Sequence, residues 1–274
     1  MLEVLRRATG YLTSHGSASP RLDAEVLMAH ALSVRRLDLY LQFDRKLSEA
    51  ELAPYRELIG RRGRGEPVAY LVGRKEFMKL DFEVTSEVLV PNPDTEVLVE
   101  RAVSWARERG GAIRLADVGT GCGCIAVSIA HYVPQALVWA TDIDEAALAV
   151  AERNVRAHGL TDRVTLLRGD LLAPLPAGLH LVCANLPYVA CGTALPVEVV
   201  AQPAHALFAE NGGAALIKRL LGEAPAKLVS GGAVFAEIDP SLQQVLMGAL
   251  EGYAGHRFHR DLGGNVRVLE AWIS

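Results

Sequence analysis

Cysteine is scarce in this chain, with four in 274 residues. So few cannot supply a disulfide framework. An excess of charge of one sign is also missing. Lys and Arg number 28 against 32 Asp and Glu, a net charge of −4. That balance argues against wholesale nucleic-acid binding. No apolar run reaches membrane-spanning length. The opening MLEVLRRATGYL reads as amphipathic, with arginines interrupting its apolar residues and no long apolar h-region behind it. The expectation is therefore a cytoplasmic chain. Internal repeats and low-complexity tracts are absent too.

What is present is ordinary globular material. Hydrophobic residues make up 50% and charged residues 22%, so a sizeable core is possible. The length allows one large domain or two modest ones. Residues 1–75 read as helical, because Leu2, Leu5, Leu12, Leu22, Val26, Leu27, Leu32 and Leu37 recur near helical spacing. Ser19-Pro20 predicts a helix start, and Ser48 with Glu51 a capping box. Arg56 to Lys79 is locally basic and reads either as a solvated linker face or as a partner-docking patch.

From 76 to 92 the period changes. FMKLDFEV and EVLVP around Thr85-Ser86-Glu87 predict a β-hairpin. Asp94-Thr95-Glu96 then predicts the cap of a helix reaching about Arg109. Residues 93–274 alternate strand and helix: IRLADV, ALVWATD, RVTLLRGD, HLVCAN and GAVFAEI as strands, with a helix over 214–229. HRFHRDL and VRVLEAWI predict a closing hairpin. Such alternation with apolar strands means an α/β fold with a mostly parallel sheet covered on both faces.

Asp117-Val-Gly119-Thr120-Gly121-Cys122-Gly123 falls between the first of these strands and a helix. Glycines let the backbone turn tightly and approach a ligand closely, and open α/β sheets bind ligands at the carboxyl ends of strands. Asp142 ends the next strand, where a carboxylate can accept from two ribose hydroxyls. Asp170, followed by Leu171, ends the third and can approach an adenine amino group. No Gly-Lys-Ser/Thr follows the loop, and its spacing departs from the dinucleotide G-x-G-x-x-G pattern. It resembles the adenosylmethionine-binding loop of class I methyltransferases, whose Rossmann-like sheet has seven strands ending in a hairpin.

Asn185-Leu186-Pro187-Tyr188 closes the fourth strand. It is similar to the Asn-Pro-Pro-Tyr motif of methyltransferases that modify planar nitrogen groups. An amide nitrogen is a poor nucleophile, because its lone pair is delocalised. The Asn185 side-chain oxygen can accept one N–H of a substrate NH₂, and the Leu186 carbonyl the other. Together they orient the nitrogen and stabilise the positive charge that develops there. Tyr188 can pack against a planar amide. Pro187 biases Leu186 to extended backbone. A turn that merely ends a strand is the plainer alternative.

RRGRGEPVAYLVGRKEF, followed by VPNPDTEVLVE, resembles the junction of bacterial release-factor glutamine methyltransferases, the PrmC or HemK family. The resemblance is loose over the N-terminal helices and close over residues 61–274. It implies N5-methylation of the glutamine in the Gly-Gly-Gln loop of peptide chain release factors, with S-adenosylmethionine as donor and S-adenosylhomocysteine as product. It implies that the N-terminal helices dock the release factor. Gly119, Thr120, Gly121, Cys122, Gly123, Asp142, Asp170, Leu171 and Asn185 would hold the donor. Asn185, Leu186, Pro187 and Tyr188 would hold the acceptor and carry catalysis. Leu186, Asn92 and Gln202 depart from the family's usual proline, arginine and glutamate.

Cys122-x-Cys124 fits no standard zinc spacing, so no metal is expected. His131 and His205 merit inspection, and Glu237 and Asp239 end the fifth strand near the cleft. Two rival functions remain: a nucleic-acid amino-group methyltransferase, distinguished by a basic groove, and a non-catalytic adenosylmethionine-binding protein. Neither direct nucleic-acid binding nor a membrane is expected, and a monomer is the default.

Overall fold

A computed structural model describes residues 1–209 and 213–274. The chain forms two compact units, Met1–Arg74 with Leu195–Gln202, and Lys75–Ala194 with Pro203–Ser274. The first unit thus takes in a short segment from far along the chain, which no local pattern in the sequence signals.

In the first unit, helices α1 (Leu2–Ser14), α2 (Pro20–Ala31), α3 (Arg36–Leu41), α4 (Glu49–Gly63) and α5 (Val68–Val72) enclose Leu12, Leu27, Met28 and Tyr55. Ser19 stands at the N-cap position of α2, with Pro20 in its first turn. Glu51 accepts from the Ser48 backbone N–H at 2.8 Å, closing the expected box at the start of α4. Three arginines of the basic stretch are paired within this unit. Arg56 pairs with Glu49, and Arg61 with Glu66. Arg62 is buried; its Nε donates to Asp23 at 2.7 Å and its Nη2 to Glu198, on the returning segment.

The second unit opens with strands β1 (Arg74–Phe77) and β2 (Leu80–Glu83). This hairpin turns at Met78-Lys79, earlier than the Thr85–Glu87 link expected from composition. Both turn residues take positive φ, 51° and 60°, which suits the right-handed twist of paired strands. Neither is Gly or Asn, so the usual signal is absent. EVLVP is irregular rather than a strand. Helix α6 (Pro93–Arg109) is capped by Asn92, whose side chain accepts from the Asp94 N–H at 3.1 Å. The cap therefore lies ahead of the expected Asp94–Glu96.

The alternating region gives β3 (Ile113–Val118), α7 (Cys124–Tyr132), β4 (Ala136–Asp142), α8 (Glu145–Ala157), β5 (Val164–Arg168) and β6 (Leu179–Ala184). A two-residue strand β7 (Val189–Ala190) pairs with β8 (Phe208–Ala209); between them in sequence come α9 (Val197–Val200), in the first unit, and α10 (Ala204–Leu207). Then follow α11 (Ala215–Glu223), β9 (Leu228–Glu237), α12 (Gln243–Leu246), β10 (Gly255–Arg260) and β11 (Val266–Trp272). The helix expected over 214–229 stops at Glu223. Pro225, which lacks an N–H, sits in a 3₁₀ turn, and the strand starts at Leu228.

These strands form the expected seven-stranded sheet, in the order β10-β11-β9-β6-β3-β4-β5. β9, β6, β3, β4 and β5 run parallel, while β11 is antiparallel to both neighbours. The central strands are almost wholly buried. The chain steps outward from β3 to β5, then returns to the other side of β3 as β6. The carboxyl ends of β3 and β6 therefore flank the switch point where ligands bind in such sheets. Among the described residues, no helix is long and apolar enough to cross a membrane.

Candidate active site

A cleft of about 270 Å³ opens at that switch point. The glycine loop forms one wall. Gly119, Gly121 and Gly123 all take positive φ, at 73°, 54° and 83°, so a side chain at any of them would strain the backbone. A Cβ on Gly119 would also stand 3.0 Å from Leu186 Cδ2. The loop thus approaches the tetrapeptide as closely as glycine allows. The loop N–H groups of Gly119 and Thr120 both donate to the Thr141 carbonyl at 2.9 Å.

Asp142 ties the loop to β4. Its Oδ2 accepts from the Gly121 N–H at 2.9 Å, and its Oδ1 from the Asp144 N–H at 3.0 Å. A carboxylate oxygen has more than one acceptor position, so both can accept again. Asp170 lines the cleft, with its Oδ2 held by Arg219 at 2.8 Å. Leu171 takes φ 46°, rare for a non-glycine residue, and its carbonyl accepts from Thr141 Oγ1.

Asp117 is fully buried behind the loop. Its Oδ2 accepts from Thr120 Oγ1 at 2.6 Å and from the Ala126 N–H at 3.1 Å. Its Oδ1 is buried with no hydrogen-bond partner among the described residues. Burial raises its pKa to about 7, against those two bonds, and the nearby Asp142 charge adds to the rise.

The turn after β6 lies against this loop and forms the next stretch of the lining. Asn185, Leu186 and Pro187 line the cleft. Asn185 Nδ2 donates to Thr95 Oγ1 on α6 at 3.0 Å. Tyr188 is not among the lining residues. Its ring packs on the buried cluster beside the sheet, and its hydroxyl donates to Glu237 Oε1 at 3.0 Å. Gly123 also lies off the lining, as the residue before α7; a Cβ there would meet Ala151 Cβ at 3.2 Å. The remaining residues singled out from the sequence, Gly119, Thr120, Gly121, Cys122, Asp142, Asp170 and Leu171, share this one cleft.

Glu237 ends β9 in a buried position. Burial raises its pKa to about 6, while the Thr95 and Tyr188 hydroxyls counteract the rise. Next to it, the Tyr188 phenol is pushed up, by burial first and then by the Glu237 charge.

The cleft also uses residues the sequence did not single out. Glu87, Val88, Leu89 and Pro91 line it as irregular backbone rather than as a strand. Thr95, read from sequence as part of a cap, faces it from the first turns of α6. Of the two histidines marked for inspection, His205 lines the cleft, with Nε2 3.3 Å from Asp144 Oδ2. The family departures have local partners. Asn92 caps α6, and the side chain of Gln202 donates to the Glu198 carbonyl within the first unit. Cys124 is buried beside Cys122, whose contact raises its pKa ahead of burial; Cys183 is raised by burial. Among the described residues, no group of His, Cys, Asp and Glu could hold a metal ion.

Comparison with known proteins adds identity to this geometry. Residues 3–73 match the family model described as the PrmC N-terminal domain, and residues 93–247 match the methyltransferase small domain. The release factor glutamine methyltransferase of Rhodopirellula baltica is 38% identical over 280 residues, covering 98% of this chain and 95% of that protein. The Moorella thermoacetica protein of the same name is 41% identical over 277 residues, covering 98% and 97%. The hMettl16 catalytic domain in complex with the MAT2A 3'UTR hairpin 6 superposes with a TM-score of 0.60. It is 18% identical, covers 77% of this chain and 83% of that one, and shares the fold. With the PrmC N-terminal model matched and near full-length identity of 38% and 41% to these relatives, the family is shown: the chain belongs to the release factor glutamine methyltransferase family.

Proposed function

We propose that this chain transfers a methyl group from S-adenosylmethionine to the glutamine side-chain nitrogen in the Gly-Gly-Gln loop of a peptide chain release factor. The observation that carries the reading is Asn185. Its Nδ2 is occupied by Thr95, and the residue lines the same cleft as the glycine loop. That leaves the amide oxygen to accept from a substrate NH₂. Near full-length similarity to proteins named for this activity supports the substrate.

The residues fit the donor. It carries a diol and an ammonium group, and when bound it supplies an electrophilic sulfonium methyl. Asp142 would hold the ribose hydroxyls with its remaining lone pairs. Asp170 and Leu171 would border the adenine. The glycine loop, from Gly119 to Gly123, leaves backbone room for the rest. Asp117 Oδ1, buried and without a partner among the described residues, belongs to a carboxyl whose charged form a bound cationic ligand would favour against burial.

Asn185 Oδ1 and the Leu186 carbonyl would take the two protons of the substrate amide. They fix its nitrogen and favour the charge that grows on it during transfer. No strong base is needed, because the nitrogen becomes acidic once it carries the methyl. Tyr188 holds the turn through Glu237. The same acceptor pair suits a nucleobase amino group; the matched N-terminal model favours the protein substrate.

The test is transfer of labelled methyl to a purified release factor, beside a version whose loop Gln is replaced by Ala. Label on the native loop alone is the expected result. Donor binding without label, followed by label on RNA, would move the assignment to nucleic acid.

A further inference from the structure

Asn185 is useful as an acceptor only in one of its two amide orientations. Turned over, it would present an NH₂ to a substrate NH₂, two donors facing one another. The feature that selects the orientation lies outside the tetrapeptide. Ala184 and Ala236 are partners in the parallel register of β6 and β9. The residues that follow them, Asn185 and Glu237, therefore leave the sheet side by side. Thr95 is buried next to both.

We propose that Thr95, oriented by Glu237, is a positioning residue that holds Asn185 with its amide oxygen directed to the acceptor. The inference rests on the methyltransferase reading above. An ionised carboxylate only accepts hydrogen bonds. A hydroxyl beside it has one proton and directs it to the carboxylate. Its oxygen is then left to accept, and only the Asn185 NH₂ side can donate to it. The observed Nδ2–Thr95 Oγ1 bond of 3.0 Å has this polarity. Glu237 Oε2 is buried with no hydrogen-bond partner among the described residues, an open acceptor near the Thr95 hydroxyl, which lowers the Glu237 pKa. Glu237 Oε1 accepts from Tyr188 at 3.0 Å. Glu237 thus holds Tyr188 directly, and its open Oε2 is the acceptor to which the Thr95 proton can turn while Thr95 accepts from Asn185.

The polarity depends on charge. A protonated Glu237 can donate to Thr95, whose own proton is then free to point at Asn185 and admit the reversed amide. The groups that set this charge are Thr95 and Tyr188, which favour it as donors; Asp94 on α6, which opposes it; and Arg267 on β11, which favours it. Arg267 is itself held by Asp94 at 3.1 Å and Asp261 at 2.9 Å. Burial opposes the charge most strongly and brings its titration to about 6.

The experiment compares wild type, Thr95→Val, Thr95→Ser and Glu237→Gln, each in the full chain. Single-turnover methyl transfer to a release factor is measured at saturating donor from about pH 5 to 9, together with the donor Kd. The side-chain amide signals of Asn185 are followed by ¹⁵N NMR. Val keeps the shape of Thr95 and removes the hydroxyl. Thr95→Val is expected to lose about 10- to 100-fold in kcat at unchanged donor Kd. Ser should recover most of that loss. Wild type should lose activity below a midpoint near 6, and Glu237→Gln should lack that limb.

Wild-type kcat in Thr95→Val would overturn the proposal. So would a Ser variant as impaired as Val, or an acid limb that persists in Glu237→Gln. Should Thr95→Val fail to fold, the Ser and Gln variants decide. If wild type labels no release factor, the functional reading fails separately. The NMR arm then still tests the positioning: Asn185 amide signals protected in wild type and Ser, unprotected in Val, support it, and equal protection in all three refutes it.

Discussion

The Gly121 N–H donates to Asp142 Oδ2 across 2.9 Å, tying the glycine loop to the end of the neighbouring strand. One carboxylate therefore shapes the loop and faces the cleft. Asp142→Ala should weaken donor binding by both routes, by about 10-fold or more, since a hydrogen bond to a charged group contributes roughly 1.5–3 kcal/mol. Asp142→Asn should fall between. Titration calorimetry with S-adenosylmethionine checks this; an unaltered Kd in the Ala variant would contradict the ribose assignment.

Asn185→Ala removes an acceptor from the lining of the cleft. If its oxygen stabilises charge developing on the acceptor nitrogen, kcat should fall by about 10²–10³-fold. Donor binding should hardly change. Rate and affinity measured on the same preparation separate the two effects, and near-normal turnover would remove Asn185 from the mechanism.

Burial pushes the Asp117 pKa up to about 7 in the fold, from the ordinary 3.8 of an exposed aspartate. Folding therefore favours its protonated form. Its stabilising contribution is fully present below about pH 4 and is lost as pH rises through about 7. Asp117→Asn lacks this dependence. The stability of wild type relative to that variant, without donor, should fall between those limits by on the order of 4 kcal/mol. Urea denaturation of both proteins across that range checks the sign, and the opposite slope would contradict it.

Gly213 stands behind the tetrapeptide at φ 85°, and a Cβ there would lie 2.0 Å from the Tyr188 carbonyl oxygen. Backbone cannot yield as a flexible side chain does. Gly213→Ala should destabilise by roughly 1–3 kcal/mol or more and lower turnover by displacing the turn. Gly222, in α11, has open space around its would-be Cβ. Gly222→Ala should be neutral or stabilising by about 0.5–1 kcal/mol. Thermal melts of the pair make the comparison.

What could be read from the sequence is what lies close together along the chain. The loop from Gly119 to Gly123, the acidic strand ends Asp142 and Asp170, and the tetrapeptide at Asn185 are each contiguous. The alternation of apolar strands with helices places all of them at one edge of a sheet, because parallel strands present their carboxyl ends together. The turn at Met78-Lys79 escaped, because left-handed backbone there is imposed on residues that carry no signal for it. Arg62 looked like one more charge in a basic run, yet it is buried between Asp23 and Glu198. The partnership of Asn185 with Thr95, and of Tyr188 with Glu237, joins three elements far apart in sequence. Only strand register and burial bring them within hydrogen-bonding reach. The kinds of side chain that meet the ligands were therefore a property of the sequence, while the direction in which Asn185 points was decided by the tertiary structure.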